Sequence, residues 1–359
     1  FRAALKRKNG IIAVIGLSAY TEVVNKTEPK NTLILNGSWG EERLRQKGLD
    51  TLRSIGIREP QEGQLYGSYS NGTARKVSSI QTTNHISILY SSRTQKKVNE
   101  WISSVTGLKS QSITNAIGFW TLILLLGLTM CFIVAVSCLP AKRPRFFQVD
   151  PARFFISHVL ALGFSPIIAI FYAPNLLSYP VHNYLFSHAT IFSMIMILCL
   201  RLDWTKNFLK TFDVGLCVAL ILFFVLVLGS VLDRYVSSFY PLNSRFALFG
   251  ILNFAFIPLC IITQRIYDSK KHSLLLANIT KVTLILSFLP AVLIDFQNLF
   301  LLIYAIFLMS CFYLVFGFLS NILNKRYNNT LSVGVANGVT LSWVLSAALP
   351  LYISSDKFI

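Results

Sequence analysis

Apolar positions along the chain follow two patterns that change over near residue 115. Before that point they come in short runs divided by polar, turn-rich stretches. Beyond it they come in runs of roughly 18 to 24 residues, the length a helix needs to cross about 30 Å of hydrocarbon. In the first regime Ile11-Ile12-Ala13-Val14-Ile15-Gly16-Leu17 is a continuous, β-branched run, which predicts a strand buried on both faces of a parallel sheet. Leu33-Ile34-Leu35 predicts a second strand, and residues 77–80, after the turn chemistry of Asn71-Gly72, a third. Residues 82–90 read as another short β-type run, with His85 where strand meets loop.

Two helices are predicted among these strands. Residues 41–53 carry Leu44, Leu49 and Leu52 between charges, and their first turn holds the acids Glu41 and Glu42, favourable at the positive end of the helix dipole. Residues 94–105 place Val98, Trp101, Ile102 and Val105 on one side. Residues 1–8 read as the last turns of a further helix, stopped by Asn9-Gly10. Phe rather than Met stands first and nothing before Ala116 reads as a signal peptide, so the chain is expected to be a piece of a longer protein or a processed product.

The second regime offers spans at residues 116–139, 155–174, 184–200, 214–232, 246–262, 274–294, 299–322 and 331–353. The third is short and the sixth contains Lys281, so the count is eight or seven. The expected organisation is an α/β unit over residues 1–115 followed by an all-α, multi-pass transmembrane bundle over residues 116–359.

Composition agrees with that division: 53% of residues are hydrophobic and 13% charged, too apolar for an average soluble domain. The net charge of +18 raises the question of a nucleic-acid partner. Its distribution argues against one: residues 1–115 hold 17 Lys/Arg against 8 Asp/Glu, scattered and without a nucleic-acid-binding motif. The remaining 16 Lys/Arg concentrate in alternate loops: Lys142, Arg143, Arg145 and Arg153 after span one, Arg201, Lys206 and Lys210 after span three, Arg265, Lys270 and Lys271 after span five, Lys325 and Arg326 after span seven. Positive loops stay inside, so residues 1–115 are expected on the extracytoplasmic side, in a bacterium the outer face of the cell membrane.

All six cysteines lie in or beside apolar runs, with no CxxC or Cys/His cluster, so neither a disulfide framework nor a metal site is expected. Within the spans Lys281, Asn278, Asn253, Asn337 and His188 are candidates for a transport path, and Pro166, Pro258 and Pro290 for kinks. The plainer expectation is that Lys281 snorkels to the near interface and the asparagines serve helix contacts.

The order of strand, acid, strand, histidine and helix over residues 1–107 resembles the last third of the α/β-hydrolase family. The resemblance rests on Leu33-Ile34-Leu35-Asn36-Gly37-Ser38-Trp39-Gly40-Glu41-Glu42 and on Thr82-Thr83-Asn84-His85-Ile86-Ser87-Ile88-Leu89-Tyr90. It implies a catalytic triad whose histidine is His85 and whose acid is Glu41 or Glu42, acting on a small-molecule or lipid substrate with an ester or acyl bond and needing no cofactor. Family members usually carry the acid three residues after the strand-ending glycine, where this chain has Gly40, and no Gly-x-Ser-x-Gly elbow occurs here. Ser18 and Ser38 are poor substitutes, one ending a strand without flanking glycines and the other preceding the acid. The leading expectation is therefore a membrane-anchored serine hydrolase whose nucleophile lies upstream of this chain. The alternatives are a transporter or channel subunit with a non-catalytic outer domain, and a non-catalytic scaffold.

Overall fold

The computed structural model describes residues 10–19, 24–40, 42–85, 87–108, 116–142, 149–172, 176–177, 179–201, 206–243, 245–267 and 273–351. The helix expected at residues 1–8, Glu41 and the end of the last span lie outside them. The chain divides into two compact units, Phe1–Leu122 and Ile123–Ile359.

The amino-terminal unit is a four-stranded mixed sheet between helices. Its strands are β1 (Val14–Leu17), β2 (Thr32–Gly37), β3 (Leu65–Tyr66) and β4 (Arg75–Ile80), in the order β1-β2-β4-β3. β1, β2 and β4 run parallel, with Leu17 beside Leu35 and Gly37 beside Ile80, while β3 is antiparallel to β4. Every residue of β2 is buried because its two faces feed two cores. Leu33 and Leu35 pack with Ile80, Ile88 and Trp101 on one side, and Ile34 packs with Val77 and Leu52 on the other. Helix α1 (Glu42–Ser54) supplies Leu49 and Leu52 to the second core, and α2 (Ser92–Thr106) supplies Val98, Trp101 and Val105 to the first. The amphipathic spacing predicted for both helices is what places those side chains on one face. Gly107 ends α2 in the left-handed conformation, its N–H bonded to Ser103 O.

Two expectations change. The run from Ile11 was read as a strand buried on both faces; only Val14–Leu17 is strand and Ile12 is 55% exposed, since β1 has a neighbour on one side only among the described strands. The described residues of 82–90 form turns and a 3-10 turn, Ser87–Leu89, instead of a strand. The local apolarity there serves one inward side chain, Ile88, in the core beside Trp101.

Arg75 opens β4 and is almost fully buried. It donates to the carbonyls of Ala74 (2.9 Å), Asn25 (3.2 Å) and Gly72 (3.3 Å), pinning the 25–31 loop to the sheet. Burial pushes its pKa below the ordinary arginine value, with the charge of Glu28 acting the other way. Arg75→Met leaves Asn25 O without its donor and takes a second donor from Ala74 O and Gly72 O, which keep the amides of Thr32 and Asn31, and the expected cost is about 2 kcal/mol. Faster amide exchange across β2 and β4 in the intact chain checks this; unchanged protection would show that the loop is held by other means.

The second unit contains eight helices long and apolar enough to span a membrane: α3 (Ile117–Ser137), α4 (Pro151–Phe171), α5 (Pro180–Leu200), α6 (Val214–Tyr235), α7 (Arg245–Tyr267), α8 (Leu274–Ile294), α9 (Leu302–Tyr327) and α10 (Thr330–Ala348). Among the described residues the count is eight. α10 is the central helix, with 78% of its apolar window inside the protein, against 17% for α3. Its access to the centre depends on small residues: Gly334 lies over the Ile261 backbone of α7 and Gly338 over that of Ile257. α8 is interrupted at Phe288, just before Pro290, whereas α4 and α7 run on through Pro166 and Pro258. α6 contains a π-helical stretch, Phe223–Leu228.

The helix ends are tied by polar contacts. Asp150 caps α4 through Ala152 N–H, and Asp213 caps α6 through Leu216 N–H. That Leu216 amide, joined by the Tyr327 hydroxyl and the charge of Lys142, holds the Asp213 carboxyl below the usual carboxylate range. Lys142 also lies 3.5 Å over the Tyr327 ring, and Arg326 donates to Leu139 O and Ser137 O, fastening the end of α3 to the end of α9.

Candidate functional site

In a parallel sheet the side chains available for chemistry gather where the strands end and the loops begin. Three parallel strands end together here, and the residues singled out from sequence lie at those ends: Ser18 after β1, Ser38 and Glu42 after β2, His85 after β4. The loops after β2 and β4 are stitched together. Ser38 N–H donates to Ile80 O (2.9 Å), Trp39 N–H to Thr83 O (2.9 Å), and Thr82 N–H to Ser38 Oγ (3.0 Å). Gly37 makes the approach possible, because a Cβ on it would stand 2.3 Å from Thr83 O. The loop that follows β2 and the loop that follows β4 are therefore joined.

The side chains themselves differ in readiness. His85 is exposed in a turn anchored from below by buried Thr83, whose hydroxyl donates to Ile80 O, and by Ile88. Glu42 opens α1 with 62% of its side chain exposed, and its carboxylate accepts from Arg45 (2.9 Å) and Gln46 (2.8 Å) on its own helix. Glu41 lies outside the described residues. Ser18 is buried, has a left-handed φ of 46°, and donates its N–H to Leu35 O; its burial does not suit a nucleophile. Trp39, 71% exposed, presents an apolar surface at this same edge.

The polar residues of the bundle sort into three kinds. Asn278 faces outward, and Asn253 bonds to Phe249 O on its own helix. His188 and Asn337 join helices: His188 bridges Tyr184 on α5 (2.9 Å) and Ser287 on α8 (2.8 Å), and Asn337 accepts from Ser320 of α9 (2.8 Å). Because the Ser287 hydroxyl donates to Leu284 O, it must accept from His188 Nε2–H, which leaves Nδ1 to accept from Tyr184. The neutral ring is thereby fully satisfied. His158, which sequence reasoning passed over, similarly joins α4 to α8 through Thr280 (2.9 Å), its other nitrogen facing Phe154 O.

Lys281 is of the third kind. Expected to snorkel, it is 8% exposed and its ammonium lies within the bundle, over Gly317 and 5.6 Å from the Tyr313 ring centroid. Nothing in the apolar run of α8 distinguishes its inward from its outward face, so its direction was not legible from sequence.

No family model, curated protein or solved structure matches this chain. What its own residues establish is a multi-pass membrane protein: a small mixed α/β sheet followed by eight apolar helices in contact with a lipid bilayer.

Proposed function

We propose that the protein is a membrane-anchored serine hydrolase of the α/β-hydrolase type, with its amino-terminal unit on the extracytoplasmic face. The observation that supports this reading is the pair of hydrogen-bonded loops at the carboxyl ends of β2 and β4: Ser38 and Trp39, which lead toward the acids in sequence, bond to Ile80, Thr82 and Thr83, which lead to His85. In this reading a serine from outside the 359 residues attacks the acyl carbonyl. His85 takes the serine proton and returns it to the leaving alcohol as the acyl C–O bond breaks, and water then releases the acid by the same route in reverse. Glu41 or Glu42 orients the imidazole. Such chemistry calls on no metal or organic cofactor.

An active-site-directed fluorophosphonate probe tests the reading. Labelling is expected of the protein that includes the serine, with loss on His85→Ala, and none of residues 1–359 alone. Labelling of the 359-residue chain would place the nucleophile within it, and no labelling in either case would remove the hydrolase reading.

The orientation has its own check, set by the Lys/Arg asymmetry of the loops. On a background without native cysteines, Asn71→Cys is expected to react with a membrane-impermeant maleimide in intact cells, and Lys325→Cys only after lysis. The reverse pattern would invert the topology. The inward-facing Lys281 favours a second reading, a transporter or channel subunit with a non-catalytic outer domain.

A further inference from the structure

An ammonium within a transmembrane bundle is costly unless something of opposite charge or strong acceptor character meets it. Lys281 lies about 10 Å along α8 from its first residue, Leu274. Its Nζ has no hydrogen-bond partner among the described residues; its neighbours are the Tyr313 ring, Gly317 and Cys260. The described residues of the eight spans include a single carboxylate, Asp233, near the end of α6, where it accepts from Phe239 N–H. Among the described residues of the spans, Lys281 therefore has no carboxylate to meet its charge. The hydroxyl of Tyr313, whose ring Lys281 Nζ overlies at 5.6 Å from the centroid, is also buried and without a partner.

These two groups end a file of buried polar side chains. On α9, Tyr313, Gly317, Ser320 and Asn324 follow at intervals of four, three and four, which puts them on one face of the helix. On α7, Cys260 and Gln264 are four apart, with Thr263 beside them. The two faces meet where Asn324 donates to Gln264, and Asn337 of α10 joins through Ser320. Asn324 Oδ1 has no partner either. The file runs from the end of the bundle that holds Lys325 and Arg326 toward Lys281. Its chemistry is that of a site for an anion that accepts hydrogen bonds: a cation and a hydroxyl donor at one end, neutral amides and hydroxyls along the way.

We propose that Lys281 and the Tyr313 hydroxyl form a binding site for a small oxyanion, entered along the α7–α9 polar seam from the end of the bundle that holds Lys325 and Arg326. The site does not rest on the hydrolase reading. The oxyanion has two possible sources, a free solute or the phosphate of an anionic lipid headgroup, and the test separates them. The full chain is placed in nanodiscs of phosphatidylcholine, and its thermal unfolding is followed in sodium acetate or sodium phosphate against sodium chloride at equal ionic strength. A ligand that binds only the folded state should raise Tm by roughly 5 °C at a hundredfold excess over Kd. Lys281→Met is expected to abolish the rise while leaving the baseline Tm equal or higher, since it removes an unpaired buried charge. Tyr313→Phe is expected to weaken binding by about tenfold, the loss of one hydrogen bond to a charged group. If the solutes have no effect but replacing part of the phosphatidylcholine with phosphatidylglycerol stabilises the protein in a Lys281-dependent way, the oxyanion is a headgroup phosphate. A response to neither, or one that survives Lys281→Met, would overturn the proposal.

Discussion

Replacing His85 by alanine is expected to slow acylation by about 10³- to 10⁴-fold in the protein that carries the nucleophile, with the amino-terminal unit still folded. The histidine is exposed, so its removal opens no cavity, and the turn beneath it is held by Thr83 and Ile88 rather than by the ring. Loss of activity without loss of fold is the signature of a group that contributes chemistry rather than packing. The two acids are expected to part company. Glu42 is already engaged by Arg45 and Gln46, so Glu42→Gln disturbs a solvated helix start worth a few tenths of a kcal/mol. Glu41, one residue nearer in sequence to the end of β2, is the acid expected to orient the imidazole, and Glu41→Gln should cost on the order of a hundredfold in turnover. Comparing the three variants by burst-phase acylation and by circular dichroism decides the matter. Near-normal turnover with alanine at position 85 would leave a likeness of fold without the chemistry, and attention would pass to the bundle.

Sequence pattern exposes some features of this molecule and hides others for identifiable physical reasons. The strand around Leu33-Ile34-Leu35 was legible because burial on both faces demands an unbroken apolar run, and α1 and α2 because one solvated face enforces a helical period. β1 was misjudged in burial, since an apolar run does not say how many neighbours its strand will have. Residues 82–90 were misread because two or three apolar residues suit a 3-10 turn dipping into the core as well as a strand. In the bundle, length and hydropathy gave the number of helices but not their faces. A lipid-facing and a protein-facing leucine are equally apolar, so the periodicity that orients a surface helix is absent. Hence the inward turn of Lys281, and the bridges from His158 and His188 to α8, emerged only from packing. The joining of the loops after β2 and β4 rests largely on backbone groups, Ser38 N–H to Ile80 O and Trp39 N–H to Thr83 O, which carry no sequence signal.

The largest structural effect is expected at Gly338. Methyl groups are tolerated in a helix where there is room, and alanine is ordinarily the better helix former by about 1 kcal/mol. At Gly338 there is no room: an added Cβ would lie 2.4 Å from the Ile257 Cα and 2.8 Å from its N, contacts with backbone that cannot rotate away. Gly334, one turn earlier, meets Ile261 Cα at 2.6 Å, so the two glycines line the closest approach of α7 and α10. Relief requires the helices to part, which forfeits packing along the most buried helix of the bundle. Gly338→Ala is therefore expected to destabilise the bundle by about 1–3 kcal/mol, and Gly338→Leu by enough to abolish a monodisperse folded product. Gly250 provides the control, on α7 itself and with nothing within 4 Å of its added Cβ. Gly250→Ala should be neutral or slightly stabilising in the same thermal-unfolding measurement. Equal behaviour of the alanine variants at 250 and 338 would mean that α7 and α10 do not approach as closely as the glycines indicate, and that the centre of the bundle lies elsewhere.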